Sequence, residues 1–239
     1  MIVLENKGAG VLDEAAYLGR LASKYAVATN YHAVAHPSLP NYLALTSGST
    51  WGIQDNNYLS LPAKDLGSQL TAAGIPWRAY MEGMGADCLA NSGRYVVRHN
   101  PFAFYGGRCP PAVGPLDGLA DDLVKDRYAF TWITPDLCHD MHDCEVTDGD
   151  NWLATTVPLI LGSPGWRHGG VLYVTFDEDN ESGATDNLVP LLVVSPRLQA
   201  HSTAVRYDHY SLLAAIEDGL RLSRLGQAAS AAPISGLLS

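Results

Sequence analysis

Two runs, Val171-Leu172-Tyr173-Val174 and Leu191-Leu192-Val193-Val194, are apolar at every position, which is the pattern of strands buried on both faces. Strands of that kind need helices above and below them. The rest of the chain supplies the alternation. Strand-like runs at Ile2 to Leu4, Ala26 to Val34, Trp77 to Glu82, Tyr128 to Thr134, Val171 to Phe176 and Leu188 to Val194 are interleaved with helix-like runs. The helices are expected at Glu14 to Lys24, Tyr42 to Thr46, Asp65 to Ala73, Leu116 to Lys125, Trp152 to Leu161 and His209 to Leu220. The fold class that follows is α/β, a three-layer αβα sandwich with a mostly parallel central sheet. With 239 residues and no linker, a single domain over 1–239 is expected, its Ala/Ser/Gly-rich tail after about 226 packing loosely.

Charge narrows the partners. With 15 Lys and Arg against 25 Asp and Glu, the net charge is −10 and no basic cluster exists to neutralise a nucleic-acid backbone. A small phosphorylated substrate remains compatible if a metal supplies local positive charge. No apolar run approaches the roughly 20 residues needed to cross a bilayer, and a monomer is expected. The chain opens on the strand-like Met1-Ile2-Val3-Leu4 without a recognisable export signal. Its 4 cysteines point the other way: Cys88 and Cys109 bracket one polar loop, Cys138 and Cys144 another, and none forms a C-x-x-C zinc pair. Two disulfides, and hence a secreted or extracytoplasmic protein, are expected.

Residues with chemical potential sit where strands end. Glu5-Asn6-Lys7 follows the first strand, and Asp177-Glu178-Asp179-Asn180-Glu181 follows the fifth. Clustered carboxylates at a buried strand end suit a hard divalent cation, although either segment alone could be a solvated turn. Pro135 to Asp143 concentrates Asp136, His139, Asp140, His142 and Asp143, and Arg98-His99 could meet an anion. His209 opens the last helix, where the macrodipole disfavours a cationic imidazole. Ser38, in His36-Pro37-Ser38-Leu39-Pro40-Asn41-Tyr42, lies at a strand-to-helix junction and reads either as a helix cap or as a nucleophile. All of these gather at one rim of the expected sheet, which favours the nucleophile.

Taken in order, Glu5-Asn6-Lys7, the His36 to Tyr42 block with Ser47-Gly48, His99-Asn100-Pro101-Phe102, Asp140-Met141-His142-Asp143, Gly149-Asp150-Asn151-Trp152-Leu153, Thr175 to Asp179 and His209 to Leu213 with Glu217-Asp218 resemble the bacterial phosphoesterase family. That family holds secreted acid phosphatases, phosphatidylinositol 3-phosphate phosphatases and phospholipases C, within the alkaline-phosphatase-like superfamily. The resemblance implies an alkaline-phosphatase-like fold and a phosphomonoesterase acting through a phosphoserine on Ser38. A phospholipase-C-type phosphodiesterase and a non-catalytic metal-binding module are the rival readings. It further implies one divalent metal ion (Ca, Mg, Mn, Zn or Fe) on Glu5, Asn6, Ser38, Asp177 and Glu178, and proton donation by His142 or His209. His99, Asp140 and Asn41 fall at substrate- or phosphate-binding positions, and Asp136, Asp140 and His209 at those of a second metal. The helix after Leu39 is expected to aim its N–H groups at the phosphate of a small ester or a phospholipid headgroup. Two features depart from the family: the segment between Asn6 and Tyr17 is short, and no export signal is seen. Sulfatases of the superfamily carry Arg where this chain has Tyr42, which argues against sulfatase chemistry.

Overall fold

The computed structural model describes residues 1–180 and 186–238. The strands are β1 (Ile2–Leu4), β2 (Ala26–Ala28), β3 (Tyr31–His32), β4 (Trp77–Met81), β5 (Val113–Pro115), β6 (Phe130–Thr134), β7 (Leu172–Phe176), β8 (Leu191–Val194), β9 (His201–Thr203) and β10 (Tyr207–Asp208). Eight of them form one sheet in the order β5-β4-β6-β1-β7-β8-β2-β9, while β3 and β10 pair separately. Pairing is parallel except at β8, which runs antiparallel to both β7 and β2. The sheet is therefore mostly parallel, as the continuous apolar runs require.

The helices are α1 (Val11–Glu14), α2 (Ala16–Ala22), α3 (Ser38–Ser47), α4 (Leu66–Ala72), α5 (Leu119–Val124), α6 (Val146–Leu161), α7 (Pro164–Arg167) and α8 (His209–Gly219). They fall into two packed groups, α2 with α6, α5 and α7, and α3 with α8 and α4. The sheet lies between them, giving three layers with β1, β7 and β8 wholly buried.

Local chemistry sets the element ends. Asp65 caps α4 by accepting from the N–H groups of Gly67 and Ser68, and Asp208 caps α8 through Ser211. Gly48 ends α3 at φ 67°, and its α-carbon lies so close to Leu225 that a Cβ there would stand 2.3 Å from the Leu225 carbonyl oxygen. The expected strand over Ala26 to Val34 is broken at Thr29-Asn30, where the Asn30 side chain donates to the Ala204 carbonyl and its own carbonyl accepts from Tyr207. The chain then leaves the main sheet as β3 and delivers Ser38. The tail is a correction. Residues after 226 form short 3₁₀ turns that bury Ala228, Ile234 and Leu237 completely, because these apolar side chains interrupt the polar stretch at spacings that reach the core. Short strands such as β5 and β9 carry no apolar pattern of their own and were not expected.

Both expected disulfides are present, Cys88–Cys109 and Cys138–Cys144. Among the described residues, no helix is long and apolar enough to cross a membrane.

Candidate active site

Strands β4, β6, β1 and β7 are adjacent and parallel, so Glu82, Asp136, Glu5 and Asp177 emerge at one rim. Position alone brings acids together there, before any long-range packing is considered. Asn6 turns the chain at φ 49°, a left-handed conformation that Asn tolerates better than most residues. The turn points the Asn6 amide N–H at Asp177 Oδ1, 3.1 Å away, and its side-chain amide at Glu178 Oε1, 3.3 Å away.

Ser38 enters from the opposite side. The residue flanking α3 on its N-terminal side is Pro37, so Ser38 is the first helical residue and its hydroxyl does not cap the helix. Ser38 Oγ instead lies 3.1 Å from Glu5 Oε2 and 3.1 Å from Glu178 Oε1. The Tyr42 hydroxyl donates to Glu5 Oε1 at 2.5 Å, one turn further along the helix. His36 Nδ1 is 2.7 Å from Glu178 Oε2. Neither Tyr42 nor His36 was singled out by sequence reasoning, since each becomes part of the site only through contacts across the sheet.

Packed acids of this kind cannot all remain charged. Burial, reinforced by Asp177 and Asp140, raises Glu5 well above the usual carboxylate range. Burial and the Glu178 charge push Asp177 up to about 8, and burial raises Asp140. A divalent cation would reverse those shifts, and the donor set fits one. Asn6 Oδ1 and Asp177 Oδ2 are buried and have no hydrogen-bond partner among the described residues. With Glu5, Ser38 and Glu178 they make an oxygen-rich cluster suited to a hard metal ion. Glu5, His99 and Asp140 also bring ligand atoms within 4.8 Å of one another. Of the acidic loop, Glu181 lies outside the described residues.

Other expected residues divide. His99 is buried between Asp140, whose Oδ2 is 3.2 Å from Nδ1, and Glu5, whose Oε1 is 3.3 Å from Nε2. Burial, then the nearby Arg98 and His142, lowers its pKa well below normal, so the ring is neutral. Asp140 spends its second oxygen on the His142 amide at 2.8 Å, which makes it a clamp on its neighbours. The His142 ring is half-buried, with Nδ1 2.6 Å from Asp143 Oδ1 and Nε2 3.5 Å from Arg98 Nη2.

His209, Asn41 and Asp136 are placed differently from the expectation. His209 is fully buried, with Nδ1 2.7 Å from the Tyr31 hydroxyl and Nε2 2.6 Å from the Asp177 carbonyl oxygen. Burial lowers its pKa to about 4. Both nitrogens are engaged, so it supports Asp177 from behind. Asn41 uses Oδ1 to accept from Val34 and Ala35 and Nδ2 to donate to Ala35 and Pro37, and so ties the loop that presents Ser38. Asp136 turns toward Glu82 and His139. The trio Asp136, Asp140 and His209 is thus not assembled. Nor is the N-terminus of α3 open to an anion at Leu39, whose N–H is held by Asn56 Oδ1 at 3.0 Å, while Pro40 has none.

The Gly149-Asp150-Asn151-Trp152 motif has a structural explanation. A Cβ at Gly149 would meet Met141 Cγ at 2.4 Å, and Asp150 accepts from the N–H groups of Tyr17 and Leu18 in α2.

Comparison with known proteins places the fold and the family. The chain is 27% identical over 229 residues to an acid phosphatase of Aspergillus fumigatus, covering 87% of this chain and 51% of that protein. It is also 27% identical over 249 residues to the phosphatidylinositol-3-phosphatase of Mycobacterium tuberculosis, covering 99% of this chain and 81% of that one. The chain therefore spans about half the length of the fungal relative. Among solved structures, an alkaline phosphatase superfamily protein from Vibrio parahaemolyticus superimposes with a TM-score of 0.63 at 12% identity, over 92% of this chain and 65% of that one. Murine ectonucleotide pyrophosphatase/phosphodiesterase 5 gives 0.65 at 10% identity, over 94% and 95%. These two share the fold, which is alkaline-phosphatase-like. The model of the Phosphoesterase family matches residues 12–223, which hold every strand but β1 and include Ser38, Asp177 and Glu178, and the chain belongs to that family.

Proposed function

We propose that this chain is a metal-dependent phosphomonoesterase that acts through a phosphoserine on Ser38. The observation that carries the reading is the Ser38 hydroxyl held at 3.1 Å from two buried carboxylates, beside orphaned oxygens of Asn6 and Asp177. Its relatives named as acid phosphatases support the monoester reading. When bound, a divalent ion supplies Lewis-acid stabilisation of the serine alkoxide and of the charge on the phosphoryl group.

The residues of the chain do the rest. Ser38 gives its proton to the carboxylate of Glu178 or Glu5 and attacks phosphorus, and the bond to the ester oxygen breaks. His142, its Nδ1 oriented by Asp143, donates the proton that the leaving oxygen takes up and later removes one from the water that hydrolyses the phosphoserine. The Tyr42 hydroxyl fixes the Glu5 carboxylate, with the His99 ring packed beside it, and His209 fixes the Asp177 backbone. Asn41 holds Ser38 in place through the loop.

The substrate is a small phosphate ester, with phosphoinositides a natural class to test given the mycobacterial relative. A phospholipase-C-type diesterase on the same site is the competing reading. The paired disulfides suit an extracytoplasmic setting. The test measures hydrolysis of an aryl phosphate, a phosphocholine diester and a phosphatidylinositol 3-phosphate by wild type and Ser38→Ala. The expected result is turnover of monoesters by wild type alone. Turnover by the variant, or a diester rate exceeding every monoester rate, overturns the reading.

A further inference from the structure

Beyond the Ser38 cluster, a second set of metal-ligating side chains stands on the same rim. Glu82 follows β4, and Asp136 and His139 follow β6, its parallel neighbour. Glu82 Oε2 is 3.0 Å from His139 Nδ1, and Asp136 Oδ1 is 3.5 Å from the same nitrogen. Two carboxylates and one imidazole thus converge on a single point, with ligand atoms within 4.8 Å of one another. We infer that Glu82, Asp136 and His139 form a structural site for a borderline first-row divalent cation such as Zn²⁺, distinct from the metal site proposed at Ser38.

The spacing suits such an ion. Donors about 2.0–2.1 Å from a tetrahedral Zn²⁺ are separated by about 3.3–3.4 Å, and the observed 3.0 and 3.5 Å straddle that edge. One nitrogen with two carboxylates is also the mixed donor set that borderline cations accept, whereas Mg²⁺ and Ca²⁺ favour oxygen alone. The side chains are one-third exposed at His139 and less at the acids, so water can complete the coordination and an ion can enter.

Neighbouring groups already orient the ligands. The Trp152 indole N–H donates to Glu82 Oε1 at 3.2 Å, which turns Oε2 toward His139, and the Trp152 ring stacks on His139 at 6.4 Å. The Asp136 amide donates to Glu82 Oε2, and Asp136 Oδ1 accepts from the amides of Cys138 and His139. Partners that fix the direction of a ligand carboxylate are a regular feature of metal sites. An ion here would pin the end of β4 to the start of the Cys138–Cys144 loop. That loop carries Asp140, whose N–H is held by the Asp136 carbonyl at 2.8 Å, and His142. Its role is therefore to stiffen the loop that feeds the catalytic rim.

The experiment strips the full chain with a chelator and re-equilibrates wild type, His139→Gln, Glu82→Gln and Asp177→Asn with Zn²⁺. Bound metal is counted after desalting, and thermal unfolding is followed with and without Zn²⁺. Wild type is expected to hold one ion more than His139→Gln or Glu82→Gln, and Asp177→Asn is expected to keep that ion. Cobalt-loaded wild type should show d–d absorption that His139→Gln diminishes. Equal metal content in wild type and His139→Gln overturns the proposal and leaves the three residues as a hydrogen-bonded corner. A failure of the Ser38 reading would appear separately, as no loss of metal and no loss of activity in Asp177→Asn.

Discussion

At the ends of β1 and β7 the chain buries Glu5, Asp177 and Glu178 to within 1% exposure and places Ser38 between them, leaving one oxygen each of Asn6 and Asp177 without a donor among the described residues. At the ends of β4 and β6 it leaves Glu82, Asp136 and His139 partly open and supplies backbone or indole N–H groups to both acids. The residue types are alike and the strands are neighbours, so burial makes the difference. Buried acids packed against one another raise the free energy of the folded chain until a cation arrives, whereas the open corner is tolerable with or without one. Such a trade of stability for reactivity is expected of a catalytic centre.

The sharpest way to break this contrast is Ser38→Ala. Monoester turnover should fall by about 10³-fold or more, with the circular dichroism spectrum unchanged, because the hydroxyl contributes chemistry rather than packing. Next comes Asp177→Asn. Measured in chelator by urea unfolding, it should stabilise the fold by about 1–3 kcal/mol while abolishing activity, since it relieves repulsion in a buried cluster. Asp136→Asn, at the open corner, should give no comparable gain. If both variants gain equally, burial is not what separates the two regions.

Asn41→Ala should be destabilising by about 2–3 kcal/mol, because it strands the loop N–H and carbonyl groups that Asn41 now satisfies. It should also lower kcat by displacing Ser38, with KM less affected. An unchanged kcat in a stably folded variant would detach the loop from the placement of Ser38.

How much of this was readable in the chain depended on range. Strands such as β1 and β7 declare themselves by uninterrupted apolar runs, and from their ends the positions of Glu5, Asp177 and Glu178 follow. Ser38 was legible as a junction residue, but its orientation was not, because the choice between capping and facing Glu5 depends on Pro37 taking the flanking position. His209 looked like a ligand for want of any sequence sign that Tyr31 and the Asp177 carbonyl would occupy both its nitrogens. Asn41 is similar: it lies beside Ser38 in sequence, yet its partners are backbone groups of the preceding loop. Asn56, Tyr42 and His36 join the site through packing that no local pattern encodes.

Glu217 supplies the control for the comparison. It is fully buried in α8, with Oε1 accepting from the Leu225 N–H at 2.9 Å and Oε2 lacking a partner among the described residues. Arg224, whose charge reaches Glu217, spends its guanidinium on Asp218 instead. If burial of an acid were enough to make a metal site, Glu217 would be one, but it belongs to no group of three or more metal-ligating side chains among the described residues. A solitary buried carboxyl solves its problem by keeping its proton, and burial pushes its pKa up to about 7 from an ordinary 4.5. The sign follows from linkage. The unfolded chain ionises Glu217 near 4.5 and the folded chain only near 7, so stability is fully present below about 4.5, declines as pH rises through 7, and is flat above that. Glu217→Gln keeps an acceptor for Leu225 and removes the proton equilibrium. It should leave stability unchanged at pH 4.5 and raise it by about 2 kcal/mol at pH 8, measured as the shift in urea midpoint at the two pH values. An equal shift at both would mean that Glu217 is already ionised in the fold. Burial alone would then fail to explain how this chain manages its acids.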